Sequence, residues 1–136
     1  MAIKLLLDTN GYAAFKKGQP EVIEIIKQAT LIGLNSIILG ELLGGFRVGQ
    51  REVQNRAELK LFLASPRVQI FPITMSTAEQ YAQVYAELRQ KGRPIPTNDM
   101  WIAASALEHD VRLLTFDHHF SQITGLKMGQ QVVDFE

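Results

Sequence analysis

Four acidic residues, Asp8, Glu41, Asp99 and Asp117, stand at positions from which side chains could share one centre. Asp8 directly follows the apolar run Ile3 to Leu7, and Asp117 follows the run that begins at Arg112. Asp99 stands at the start of an expected helix, and Glu41 lies one to two turns into another. Carboxylates held within a few ångströms repel one another, and their pKa values rise unless a cation sits among them. Oxygen-only ligation suits Mg²⁺ or Mn²⁺. Such an ion polarises a phosphoryl oxygen and activates water for in-line displacement. Hydrolysis at a phosphoryl centre is the chemistry open to this set.

Taken singly, each residue also has an ordinary structural reading. Asp8 can cap a helix or form an Asx turn, Asp99 can complement a helix N-terminus, and Asp117 can end a strand in a turn. Glu41 is harder to place, because Ile37, Ile38, Leu42 and Leu43 spread around its helix and leave little polar face. A buried ionised carboxylate without a partner costs several kcal/mol or neutralises. A salt bridge or a metal ion would resolve that conflict.

The elements that must position these groups follow from hydrophobic pattern and punctuation. Ile3 to Leu7 reads as a strand buried on both faces. A short helix from Asn10 to Lys17 stops at Gly18, and Pro20 opens a second helix through Val22, Ile25, Ile26 and Ala29. Leu31 to Asn35 is the next strand, and Ser36 is the expected cap of the helix carrying Glu41. A charged helix from Arg51 to Ala64 precedes a strand at Val68 to Phe71. Ser76 and Glu79 form the pattern of a capping box, opening a helix that closes at Lys91 and Gly92. Asn98 is the expected cap of a helix over Asp99 to His109. Arg112 to Thr115 and Gln131 to Phe135 complete the strands, the last as an edge. This alternation calls for a three-layer α/β/α sandwich around a mainly parallel sheet. Ligands of such sheets bind beyond the carboxyl ends of the strands; strand order is not readable at this level.

The chain has 136 residues, which suits one domain spanning 1–136. It contains no cysteine, which excludes disulfides, thiolate nucleophiles and zinc–thiolate sites. Its formal net charge is zero, against a strongly basic, sequence-blind nucleic-acid binder. The longest apolar runs are too short to cross a bilayer, and the first one is cut by Asp8 with no cleavage site following. No membrane association and a cytoplasmic location are the expectations. No Walker A loop, GxGxxG fingerprint, HExxH helix or GxSxG elbow is present.

Four segments resemble, in order, the motifs of the PIN domain family. They are Leu5-Leu6-Leu7-Asp8-Thr9-Asn10, the Gly40-Glu41-Leu42-Leu43-Gly44 stretch, Pro96-Thr97-Asn98-Asp99 with Ile102-Ala103-Ala104, and Leu113-Leu114-Thr115-Phe116-Asp117-His118-His119-Phe120. With this length, the resemblance is to the VapC-type toxins of type II toxin–antitoxin pairs. It implies an endoribonuclease requiring Mg²⁺ or Mn²⁺, acting on tRNA or other structured RNA. It also implies a homodimer, inhibited by a small VapB-type antitoxin whose C-terminal segment covers the active site. Carried over, it makes Asp8, Glu41, Asp99 and Asp117 metal ligands and catalytic residues, Asp117 as an outer or second-metal ligand. Thr115 becomes a hydroxyl that orients water or a carboxylate.

Basic residues Lys16, Arg47, Arg51 and Arg93 are candidates for contacting RNA phosphates, although Glu52 and Glu58 interleave the Arg51–Lys60 region as on an ordinary solvated face. His118 and His119 read as an incidental exposed pair. Trp101 reads as core or dimer interface rather than a base-stacking platform. Two rivals remain at this level: an aspartyl phosphotransfer domain using Asp8, and a PIN-like module that binds without cutting. Against the first, Asn10 stands where dehalogenase-like phosphatases place a second Asp.

Overall fold

The run Ile-Lys-Leu-Leu-Leu becomes the middle of a sheet because its leucines have apolar layers on both sides. In a computed structural model that describes residues 2–136, Leu5, Leu6 and Leu7 are 0% exposed. They belong to β1 (Ile3–Leu7), which is flanked by β2 (Ala29–Asn35) and β4 (Arg112–Leu114). β3 (Val68–Phe71) and β5 (Met128–Gly129) lie at the edges, giving the order β3-β2-β1-β4-β5 with every neighbouring pair parallel. Parallel strands need long crossovers. These are provided by α1 (Thr9–Lys16), α2 (Pro20–Gln28), α3 (Ser36–Val48), α4 (Glu52–Leu63), α5 (Met75–Lys91) and α6 (Thr97–His109). The result is the expected α/β/α sandwich.

This strand order has one functional consequence. The chain winds outward from β1 through β2 to β3, then returns to the other side of β1 for β4 and β5. The direction of winding reverses between β1 and β4, so a crevice opens beyond their carboxyl ends. Asp8 and Thr115 are the first residues past those two ends.

Side-chain bonds pin the helices around that crevice. Asn35, fully buried at the end of β2, accepts the Ile38 amide at 2.9 Å and so caps α3. Its amide nitrogen donates to the Ser105 hydroxyl at 2.8 Å and faces the Trp101 carbonyl at 3.4 Å, tying β2 to α6. Trp101 stacks on Tyr81 with ring centroids 4.2 Å apart, joining α6 to α5. At Gly33 the Phe71 ring occupies the space of a side chain, 2.3 Å from where a Cβ would stand.

Four local expectations are corrected. Asn35, not Ser36, caps α3, because Ser36 already lies in the first turn. α5 begins at Met75, so Ser76 and Glu79 fall inside it; Thr74 is the cap, its amide donating to the Thr77 hydroxyl at 3.0 Å. α6 begins at Thr97 after Pro96, which leaves the Asn98 side chain free of capping. Gln131 to Phe135 is not a strand. Val132–Phe135 forms a 3-10 turn, because the Asp134 carboxylate accepts the Gln130 and Gln131 amides at 2.9 and 3.0 Å and closes the backbone on itself. The last strand is instead Met128–Gly129.

Replacing Asn35 by Ala removes the cap of α3 and leaves the Ser105 hydroxyl without its buried partner. The expected loss is about 2 kcal/mol, read from the midpoint of urea unfolding. An unchanged midpoint would show that the β2–α6 tie contributes no net stability.

Candidate active site

The four acidic side chains arrive in one place from four elements. Asp8, Glu41, Asp99 and Asp117 together line a cavity of about 240 Å³, with Thr9, Asn10 and Ile102. Asp8 comes from the end of β1, Glu41 from α3, Asp99 from the first turn of α6, and Asp117 from the segment after β4.

Asp8 is the deepest, at 5% exposure. It is the N-cap of α1, and its Oδ1 accepts the Gly11 amide at 2.7 Å. Glycine is needed there: a Cβ on Gly11 would lie 3.0 Å from the Leu114 carbonyl and 2.9 Å from Leu7 Cδ1. The close approach of α1 to β4 therefore depends on a missing side chain. Burial pushes the Asp8 carboxyl from 3.8 up to about 6; hydrogen bonds from the Thr115 hydroxyl and the Gly11 amide oppose that rise, while Asp99 and Asp117 add to it. Thr115 is itself buried, and its hydroxyl accepts the Asp117 amide at 3.0 Å. One hydroxyl thus links the residues that follow β1 and β4.

Glu41 resolves its conflict by hydrogen bonding rather than by a basic partner. The Thr9 hydroxyl donates to Oε1 at 2.5 Å, and the Asn98 amide donates to Oε2 at 3.1 Å. Asp99 is raised above the ordinary carboxylate range, first by burial and then by the charges of Asp117 and Glu41; a hydrogen bond from His119 works in the opposite sense. Asp117 caps the 3-10 turn His118–Gln122, its Oδ1 accepting the His119 amide at 2.9 Å.

His119 is not incidental. Its ring Nδ1 lies 3.1 Å from Asp117 Oδ1 and 3.5 Å from Asp99 Oδ2. Thr9, Asn98 and His119 are the contributors that sequence reasoning did not assign to the site. The signal for His119 was its place two residues after Asp117, where an Asx turn folds the chain back on the carboxylate. Thr9 and Asn98 carry no such local signal, since each meets Glu41 across the fold.

Sequence similarity gives the family. The family model described as PIN domain matches residues 5–126. The chain belongs to the PIN domain family. Among its relatives, it is 31% identical over 93 residues to the Ribonuclease VapC2 of Rickettsia felis, covering 68% of each chain. It is 26% identical over 129 residues to the tRNA(fMet)-specific endonuclease VapC of Shigella flexneri, covering 92% of this chain and 96% of that one. A solved structure of VapBC2 from Rickettsia felis, bound to a DNA fragment from its promoter, superposes with a TM-score of 0.84 at 27% identity, covering 93% of this chain and 98% of that one. A DNA-bound VapBC from Salmonella typhimurium gives a TM-score of 0.83 at 26% identity, covering 93% and 97%.

Within this PIN domain none of the four candidate RNA-contacting residues lines the carboxylate cavity. Lys16 and Arg51 line a separate cavity of about 540 Å³ with Tyr12, Phe46 and Glu58. There Lys16 pairs with Glu58 at 3.4 Å. Arg47 pairs with Glu52 at 3.6 Å, and Arg93 is exposed on the loop between α5 and α6. The carboxylate cavity, by contrast, has the donor chemistry for a hard divalent cation: oxygen atoms, negative charge, and two carboxyls raised above their ordinary range.

The raised Asp8 carboxyl makes the metal-free fold sensitive to pH. The unfolded chain releases this proton near 3.8 and the folded chain near 6. Between those values the unfolded state binds fewer protons, so rising pH favours unfolding. Asp8 then costs the metal-free protein roughly 3 kcal/mol above pH 6. Asn caps a helix about as well as Asp. In chelator, Asp8→Asn is therefore expected to melt higher than the unsubstituted protein at pH 7.5, with the gap closing toward pH 4. A gap independent of pH would refute the assignment.

Proposed function

We propose that this chain is the toxin of a type II toxin–antitoxin pair, a metal-dependent endoribonuclease that hydrolyses RNA phosphodiester bonds. The observation that carries the reading is the convergence of four carboxylates on one cavity at the β1/β4 crevice of a PIN domain. Relatives named as ribonucleases, and neighbours solved as VapBC complexes, support the substrate class and the partner. The partner is a VapB-type antitoxin, and the toxin acts as a homodimer in the cytoplasm. No helix among the described residues is long and apolar enough to cross a membrane.

In this reading Asp8, Asp99 and Asp117 hold the cation, with Glu41 beside them. When bound, Mg²⁺ or Mn²⁺ supplies Lewis acidity toward the scissile phosphodiester and makes nearby water more acidic. The chain's own groups do the positioning. The Gly11 amide holds the Asp8 carboxylate at the cavity despite its burial. Thr9 and Asn98 occupy one oxygen each of Glu41, which fixes the plane of that carboxylate and leaves its remaining lone pairs to accept a proton from, or orient, the attacking water. Ile102 walls one side of the cavity and limits the water within it. A structured RNA such as tRNA is the first substrate to test, given the relative named for one.

The purified chain, free of antitoxin, is expected to cut total cellular RNA into discrete fragments with Mn²⁺ or Mg²⁺. Asp99→Asn or excess chelator should lower the rate by at least about a hundredfold while circular dichroism stays unchanged. Folded protein that binds RNA in Mn²⁺ but cuts none would replace this reading with a binding module.

A further inference from the structure

We propose that His119 is a nitrogen ligand of the cation held by Asp99 and Asp117, and that it makes the centre prefer Mn²⁺ to Mg²⁺. The proposal rests on the carboxylate cavity being a metal site and adds a ligand of different chemistry to it. One atom from each of Asp99, Asp117 and His119 lies within 4.8 Å of the other two. The imidazole Nδ1 stands 3.1 Å from Asp117 Oδ1 and 3.5 Å from Asp99 Oδ2. Adjacent ligands of an octahedral ion with bonds of roughly 2.1 Å are about 3 Å apart. The two imidazole–carboxylate spacings are thus close to that between neighbouring vertices of one coordination shell, before any rearrangement.

The local fold holds that spacing. Asp117 accepts the His119 backbone amide at 2.9 Å, so the ring and the carboxylate belong to one tight turn. Phe120, 1% exposed, anchors the same turn in the core. The ring itself is 55% exposed and faces the two carboxylates. His118 differs. It lines a neighbouring cavity with Met128 and Gln130, and its carbonyl accepts the Ser121 hydroxyl at 2.8 Å. It therefore serves as the internal control.

The chemical consequence follows from ligand hardness. Mg²⁺ keeps to oxygen ligands in near-ideal geometry, whereas imidazole nitrogen adds affinity for first-row transition ions, the least of them for Mn²⁺. A centre with one imidazole among carboxylates gains affinity for Mn²⁺ and little for Mg²⁺. An imidazole that only donated a hydrogen bond to Asp99 or Asp117 would orient oxygens for either ion, and its loss would weaken both alike.

The test is metal binding by the purified, antitoxin-free protein, with no RNA present. Mn²⁺ and Mg²⁺ affinities are measured by calorimetry for the unsubstituted protein, His119→Ala, His118→Ala and Asp99→Asn. The Mn²⁺-loaded samples are then examined by pulsed electron paramagnetic resonance, with and without ¹⁵N-labelled histidine. The expected result is a histidine nitrogen coupling in the unsubstituted protein and in His118→Ala, absent from His119→Ala. His119→Ala should lose roughly tenfold in Mn²⁺ affinity and change far less toward Mg²⁺. Mn²⁺ bound with no nitrogen coupling, or equal losses for both ions, overturns the ligand role and leaves the carboxylate centre standing. Failure of the unsubstituted protein to bind Mn²⁺ at all overturns the metal centre and this proposal together. Circular dichroism of each variant separates lost ligation from lost folding.

Discussion

Carboxylates removed from water must be met by hydrogen-bond donors or by positive charge, or they take up protons. Much of the structure around the β1/β4 crevice answers that constraint. Asp8 receives the Gly11 amide, Glu41 receives Thr9 and Asn98, and Asp117 receives the His119 amide. These donors are neutral. They orient the four groups without cancelling their charge, so the cavity keeps its negative potential. Asp8 and Asp99 remain above the ordinary carboxylate range despite this support. Such an arrangement has the donor chemistry for a divalent cation.

The scaffold makes the arrangement rigid. β1 has neighbours on both sides and leucines facing both helical layers, so the backbone that delivers Asp8 lies in the most constrained part of the sheet. Asn35 fastens the start of α3 to α6, the helices that carry Glu41 and Asp99. Gly11 lets α1 come down against the end of β4. Each tie joins elements that are distant in sequence.

The edges carry less of this load. β5 has two residues, and the chain after it turns on Asp134 instead of extending. An apolar-rich stretch such as Val132-Val133-Asp134-Phe135 has strand composition, yet the Asp134 carboxylate within it takes the backbone donors three and four residues upstream. The helix starts at Asn35 and Thr74 show the same lesson. Ser36 and Ser76 have capping chemistry, but the residue that caps is the one standing where the backbone leaves the extended conformation.

The amino-acid sequence by itself determined which segments are strands and helices through most of the chain, since hydrophobic period and turn residues are local properties. It also placed Asp8 and Asp117 just beyond two strands, and with parallel pairing that sends them to one edge. Strand order was beyond it, because the pairing of β4 with β1 depends on how well whole layers pack, and no short window encodes that. Only the tertiary structure therefore decided that the winding reverses between β1 and β4 and opens the crevice there. It alone brought Asn98 across 57 positions to Glu41 and set His119 against Asp99 as well as Asp117. A residue's type states which bonds it is able to make, and the distance that permits them exists once the chain has folded.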